Sequence, residues 1–323
     1  MNKRVLGSTG LLVSEIGIGG WQLGGPLMLD GKADGHPDLG REFSINLIRA
    51  CGELGINFVD TAEQYGNGES ERRVGEALKG RREQWVISTK FGYQVGPNGE
   101  RLADASARRV PVSLEGSLRR LQTDYLDVYL WHISPDRNEA EAVAGFLAEA
   151  KRKGQVRAIG ISTANPADVE YLWSLGGLDV VQFPQNLLDP SPAISALLAQ
   201  YRLGGVVRGA FAGGRLSGKY FHQPPQFAPD DIRSTRTNAA VAAEFLRCAA
   251  FAELVTPQRS MIQLALRYLL DLPTTHAIIP GGKSLADYQA AIRATEIAPL
   301  TPAEQARIAE LRAEILGNAA RVS

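Results

Sequence analysis

The sequence predicts a parallel α/β barrel, and three observations carry that expectation. Short apolar runs of strand length alternate with stretches of helical period along most of the chain. Several of those runs end in an ionisable residue, and in a barrel the strand ends and the loops beyond them carry the active site. The length of 323 residues suits one such barrel, since the architecture commonly exceeds about 250 residues as a single unit, and residues 1–323 are expected to form one domain.

The opening segment from Lys3 to Glu15 has the pattern of a β-hairpin turning at Gly7-Ser-Thr-Gly10. Ile16-Gly-Ile-Gly-Gly20 follows as the first inner strand. Its glycines do not make a dinucleotide fingerprint, because Gln22 stands where the third glycine is needed. Residues 26 to 40 read as a loop in which His36 is solvated. Glu42 to Leu54 is a helix with Ile45, Leu47, Ile48 and Cys51 on its apolar side, stopped by Gly55. Asn57-Phe-Val-Asp60 is the second strand, followed by a glycine-bearing turn with Tyr65 and a helix through Val74 and Leu78.

Trp85 to Gly92 reads as the third strand and closes on Lys90. A lysine there is partly desolvated, which lowers its pKa unless a carboxylate lies beside it, and Asp60 at the end of the preceding strand is the natural partner. Residues 93 to 110 read as irregular and basic. Pro111 opens a helix with Arg119 and Arg120 on its wet side, and Tyr125 to His132 is the fourth strand. A helix over residues 139–153 precedes the fifth strand, Val156 to Thr163. Asp179 to Gln185 is the sixth strand and Gly204 to Ala210 the seventh. A long loop spans residues 221–237, Pro257 begins a helix, and Thr275 to Pro280 is the eighth strand. Gly281-Gly-Lys-Ser284 leads into a helix whose free N–H groups form an anion site. A helix from Pro302 to Leu316 closes the chain, leaving a tail too short for a substrate loop.

Composition narrows the partners. Lys+Arg and Asp+Glu both number 35, so no global field draws nucleic acid or an anionic membrane, and an anionic ligand must be held locally. Cys51 and Cys248 form neither a disulfide framework nor a metal cluster, which fits a reducing compartment. No apolar h-region follows the N-terminus, and no run reaches the roughly 18 apolar residues of a membrane span. A cytoplasmic protein without membrane, nucleic-acid or metal partners is expected.

Asp60 and Tyr65 in Asp-Thr-Ala-Glu-Gln-Tyr-Gly, Lys90 in Ser-Thr-Lys-Phe-Gly and His132 in Tyr-Leu-Trp-His together resemble the catalytic tetrad of the aldo-keto reductases. The likeness runs from the opening hairpin to the helix after Pro280, and points to the bacterial branch similar to potassium-channel β subunits. It implies a (β/α)8 TIM barrel with an N-terminal β-hairpin, and an NADPH-dependent reductase turning aldehydes or ketones into alcohols. Tyr65 is then the proton donor. Lys90 lowers its pKa, Asp60 orients Lys90, and His132 hydrogen-bonds the carbonyl oxygen.

The same resemblance places the cofactor. Ser162 and Gln182 match the carboxamide contacts, with Thr163 where asparagine is usual. Gln185 stands where an aromatic ring commonly stacks on the nicotinamide, which implies altered nicotinamide binding. Arg208, Gly209, Ala210, Phe211, Gly214 and Lys219 match the loop over the pyrophosphate. Gly281, Gly282 and Lys283 match the site of the adenosine 2′-phosphate, which favours NADPH (NADP+) with NADH still admissible. Asp287 replaces the usual glutamine, and Ala290 and Ala291 a polar pair at adenine. Trp21 counts among the cofactor contacts. With Trp131, the loops 25–40 and 93–110 and the segment 221–237, it is expected to line a mouth that accepts small-molecule carbonyls. Two other functions share this frame, a regulatory subunit of low activity that binds NADP and a sugar dehydrogenase working toward oxidation. No apolar stripe beyond those the barrel uses marks an oligomer interface.

Overall fold

The computed structural model describes residues 1–317. Strands β1 (Lys3–Val5) and β2 (Leu12–Ser14) pair antiparallel as the expected hairpin. Gly7 lies so close to the barrel that an added β-carbon would sit 2.3 Å from the Gly204 nitrogen. Leu6, Leu11 and Val13 thereby join Phe58, Val86, Val128, Val180, Val206 and Ala277 in an apolar cluster that plugs the barrel floor.

The alternation then runs β3 (Ile18–Gly19), the small hairpin β4 (Met28–Leu29) and β5 (Lys32–Ala33), α1 (Arg41–Glu53), β6 (Phe58–Asp60) and α2 (Glu69–Ala77). Next come β7 (Val86–Phe91), a second hairpin β8 (Tyr93–Val95) and β9 (Arg101–Ala103), α3 (Arg109–Leu121), β10 (Leu126–Trp131), α4 (Ala140–Arg152) and β11 (Val156–Ser162). The second half continues with α5 (Pro166–Ser174), β12 (Val180–Pro184), α6 (Pro192–Tyr201), β13 (Gly204–Arg208), α7 (Ile232–Arg236), α8 (Ala239–Arg247), α9 (Met261–Leu270), β14 (Ala277–Ile278), α10 (Leu285–Arg293) and α11 (Pro302–Gly317).

Parallel pairing follows the order β3, β6, β7, β10, β11, β12, β13, β14. The ring closes where Ile16 bridges Ile278, with the Gly17 N–H donating to the Ile278 carbonyl at 2.8 Å and the Ile278 N–H to that of Glu15 at 2.9 Å. This is the expected (β/α)8 barrel with its N-terminal hairpin. Its helix-facing layer buries Ile48, Val74, Leu114, Leu147, Val169, Leu198 and Leu266 against the outward side chains of the strands.

The differences from the sequence reading lie in the connections. Residues 26–40 and 93–110 each contain a hairpin, and the two interlock: Asp30 N–H donates to the Gly99 carbonyl at 3.0 Å, and Arg101 N–H to Asp30 Oδ1 at 3.2 Å. Arg120 is not on the wet side of its helix, because its guanidinium turns to the fully buried Glu71 at 2.5 Å. The helix expected from Pro257 starts at Met261, capped by Ser260 and Gln263 in a reciprocal box. The short tail expected after Leu316 lies, apart from Gly317, outside the described residues.

One contact sets the loop that bears Tyr65. Gly66 has φ +59°, and an added β-carbon would lie 2.0 Å from the Gly24 carbonyl oxygen. Gly66→Ala is therefore expected to lower stability by about 1–3 kcal/mol, through overpacking that adds to the strain of a positive φ. Urea denaturation checks this. Gly80→Ala, at φ +76° with nothing within 4 Å of the added carbon, isolates the strain and should cost less.

Candidate active site

The register of the sheet brings the strand-end residues into one layer. Asp60 pairs with Ser88 across β6 and β7, and Lys90 with Leu130 across β7 and β10, while the His132 N–H just beyond β10 donates to the Phe91 carbonyl at 2.8 Å. Because side chains alternate along a strand, this register turns Asp60 and Lys90 to the same interior. Lys90 Nζ lies 2.6 Å from Asp60 Oδ2, donates to the Thr61 carbonyl at 2.7 Å, and reaches Tyr65 Oη at 3.3 Å. The Lys90 side chain is 0% exposed and that of Asp60 3%. Asp60 Oδ1 accepts from Ser88 Oγ at 3.0 Å and from Gln182 Nε2 at 2.7 Å, and the Gln182 amide oxygen accepts from Ser162 Oγ at 3.0 Å. An unbroken chain of hydrogen bonds thus runs from Ser162 to the Tyr65 phenol.

The protonation states follow from this environment. Burial alone lowers the pKa of Lys90, but Asp60 and Tyr65 outweigh it, and the net shift is upward, so the ammonium stays charged. Burial raises the Tyr65 phenol, and the Lys90 cation offsets part of that rise. The sequence reading expected Lys90 to bring the phenol down overall; desolvation is the larger effect here. Burial, with Lys90 and Arg208 nearby, pushes His132 well below its ordinary value, so the imidazole is neutral near pH 7, and its Nδ1 has no hydrogen-bond partner among the described residues.

Aromatic rings frame the mouth. Tyr65 stacks on Trp21 with centroids 5.9 Å apart and meets His132 edge-on at 5.8 Å, while Tyr93 closes on the other side of His132 at 5.3 Å. Tyr93 went unassigned in the sequence, although an aromatic residue next to a strand-ending glycine is a visible signal. The Trp21 indole N–H donates to the Asp34 carbonyl at 3.1 Å, and the Asp34 carboxylate takes Gln64 at 2.7 Å and Arg101 at 2.5 Å. The Arg236 guanidinium lies 5.4 Å over the Trp21 ring. Trp131 is not at the mouth: it is 2% exposed and packs on Phe91 at 5.1 Å in the helix-facing layer. His36, expected in solvent, is buried edge-on to Trp21, with Nδ1 3.5 Å from Asp231, and burial pushes its pKa down to about 4.

The groove expected to hold a dinucleotide is only partly as anticipated. Arg208 forms no side-chain hydrogen bond or ion pair among the described residues. Burial lowers its pKa while Tyr65 and Asp60 pull it up, so an unpaired cation lies within electrostatic reach of the tetrad. Gly209, Ala212, Gly213 and Gly214 all have positive φ, and added carbons at Gly209 and Gly213 meet nothing within 4 Å. Such a backbone concavity suits a diphosphate, with Lys219 exposed beyond it, Ala210 buried and Phe211 half-buried. The residues present therefore fit a nicotinamide dinucleotide.

Gln185 departs from the sequence reading. It is 3% exposed, and Ser195 Oγ on α6 lies 3.4 Å from its Oε1, so its side chain is on the helix side of the sheet. Thr163 likewise turns to Asp168 at 2.8 Å. Gly281 and Gly282 owe their size to neighbours, since added carbons would lie 2.0 Å from Gln22 Nε2 and 2.7 Å from the Tyr288 ring. The N–H groups expected to be free ahead of α10 are in part taken. Asp287 Oδ2 accepts from the Lys283 N–H at 2.9 Å and the Ser284 N–H at 3.0 Å.

The sequence profile of the Aldo/keto reductase family matches residues 15–313. Aldo-keto reductase YhdN of Bacillus subtilis is 30% identical over 299 residues, covering 90% of this chain and 87% of its own. A probable voltage-gated potassium channel subunit beta of Oryza sativa subsp. japonica is 28% identical over 323 residues, covering 94% of both. The holo form of aldo-keto reductase AKR11C1 from Bacillus halodurans superposes with a TM-score of 0.80 at 27% identity, covering 96% of both chains.

The buried pair is directly testable. Asp60→Asn removes the counter-ion of a lysine that has no access to water, and stability near pH 7 should fall by about 3–5 kcal/mol. The deficit should shrink as pH rises and Lys90 sheds its proton. Urea unfolding from pH 7 to 10 measures both.

Proposed function

The chain belongs to the aldo/keto reductase family, and from that premise we propose that it reduces small aldehydes or ketones to alcohols, with Tyr65 giving the proton. A bound NADH or NADPH supplies the hydride, which no side chain can. The 3.3 Å contact between Lys90 Nζ and Tyr65 Oη carries the reading, because it places a fixed cation beside the phenol at which negative charge develops. Tyr65 Oη donates to the carbonyl oxygen, and Lys90 stabilises the phenolate left behind. Asp60, with its oxygens committed to Lys90, Ser88 and Gln182, keeps the ammonium aimed. His132, neutral, donates an N–H to the same carbonyl oxygen. Trp21 and Tyr93 shield the site from water.

For the cofactor, Ser162 and Gln182 are assigned to the carboxamide and Arg208, Gly209, Ala210, Phe211, Gly214 and Lys219 to the diphosphate. Gly281, Gly282, Lys283 and Asp287 are assigned to the adenosine end. Lys283 is the residue on which the sequence favours NADPH. The raised phenol supports reduction over oxidation near neutral pH, because Tyr65 then holds the proton it must give.

Tyr65→Phe should lower the rate of carbonyl reduction roughly 10²- to 10⁴-fold and leave dinucleotide binding unchanged. Absorbance of the reduced cofactor with methylglyoxal and aromatic aldehydes reads the first, and fluorescence titration the second. Substantial turnover in this variant would remove Tyr65 from its role. Reduction needs the phenol and oxidation the phenolate. With a pKa above the ordinary value of about 10, reduction should hold across neutral pH and fall only above pH 10, while alcohol oxidation rises over the same range.

A further inference from the structure

The ends of α10 and α7 place two carboxylates against the groups that a 2′-phosphate requires. A phosphate at a helix N-terminus needs free backbone N–H donors and an uncommitted cation. Here the cation is paired and three of the donors, the N–H groups of Lys283, Ser284 and Asp287, are taken. The Lys283 and Ser284 N–H groups both donate to Asp287 Oδ2, and the Asp287 N–H donates to Ser284 Oγ at 3.2 Å, so the helix caps itself reciprocally. The Lys283 ammonium lies 3.7 Å from Asp231 Oδ2. Burial and the neighbouring Arg233 lower its pKa, while Asp231 pulls it up.

Asp231 is fixed from several sides. Arg233 grips both of its oxygens, Nε to Oδ1 at 2.9 Å and a terminal nitrogen to Oδ2 at 2.6 Å, and the Arg233 N–H adds a third bond at 3.0 Å. The next residue is tied across the mouth, its Ile232 N–H donating to the Gly35 carbonyl at 2.9 Å. A phosphate that recruited Lys283 or Arg233 would strip partners from a carboxylate whose side chain is 3% exposed, a costly exchange. A ribose hydroxyl makes no such demand. Asp287 Oδ1 carries no hydrogen bond among the described residues, and a carboxylate oxygen accepts from a ribose 2′-hydroxyl while repelling a phosphate in its place.

We propose that Asp287 and Asp231 make this chain selective for NADH over NADPH, Asp287 by holding the Lys283 and Ser284 N–H groups and offering its free oxygen to the ribose, Asp231 by pairing with Lys283. The inference rests on the assignment of the adenosine end to residues 281–287, and it reverses the cofactor preference that Lys283 alone suggests.

Equilibrium titration of the full chain, following tryptophan quenching, tests it without turnover. NADH should bind at least tenfold more tightly than NADPH, and adenosine 5′-diphosphate should displace NADH at lower concentration than adenosine 2′,5′-bisphosphate. Asp287→Asn keeps a side-chain oxygen for the cap but removes the charge, and should tighten NADPH at least tenfold with only a few-fold change for NADH. Asp231→Asn, which leaves the α10 cap intact, should shift the ratio in the same direction. Equal or tighter NADPH binding by the natural chain would overturn the proposal, as would an unchanged ratio in both variants once circular dichroism shows them folded. Binding of neither dinucleotide would overturn the reading of the site itself, and the selectivity with it.

Discussion

The ion pair between Lys90 and Asp60 is the constraint on which the site depends. Two opposite charges 2.6 Å apart, with side chains 0% and 3% exposed, have lost nearly all hydration. Their mutual attraction compensates for that loss only if the remaining lone pairs and protons are satisfied. They are, by the Thr61 carbonyl, Ser88 and Gln182. Those partners come from the end of β6, from β7 and from β12 on the far side of the ring, so the pair is saturated only in a closed barrel. Closure in turn depends on the bridge between Ile16 and Ile278 and on the hairpin that plugs the floor. The barrel and the charge pair are therefore mutually dependent.

The same desolvation assigns the protonation states around the pair. Burial drives an ionisable group toward its neutral form, and the Lys90 ammonium, held by Asp60 and Tyr65, resists it. Tyr65 stays a phenol and His132 a neutral imidazole, their rings meeting edge-on with centroids 5.8 Å apart. Lys90 acts in opposite senses on its neighbours. It disfavours a proton on His132 and eases the ionisation of Tyr65, though not enough to offset burial.

The parts legible in the sequence are those set by local pattern. An apolar run that stops at Asp60, Lys90 or His132 announces both a strand and the polar group at its end, and the order of the runs gives the order of the barrel. What escaped depends on direction or on a distant partner. Trp131 and Gln185 lie at strand ends as expected, but each faces the helices, and composition does not reveal which of two alternating faces is inward where both are apolar. His36 looks solvated in a loop full of glycine, proline and aspartate until Asp231, far along the chain, is brought against it. The two mouth hairpins pair with each other, so neither loop has a strong strand signature of its own.

Asp287 shows how a local rule can bear on a functional question. Serine followed three residues later by a carboxylate is a helix-start signature, and a cap of this kind contributes about 1 kcal/mol to the helix it begins. A helix start that satisfies the Lys283, Ser284 and Asp287 N–H groups internally has less need of an external anion. An amide side chain at position 287 would carry no charge and would leave room for phosphate to compete for those donors, whereas a carboxylate both occupies them and repels the competitor. On the proposed assignment, helix stability and recognition of the dinucleotide draw on the same few backbone hydrogens, and what serves one is withheld from the other. In the proposed reaction the tetrad has no such freedom, because the proton, the hydride acceptor and the fixed cation must meet within a few ångströms.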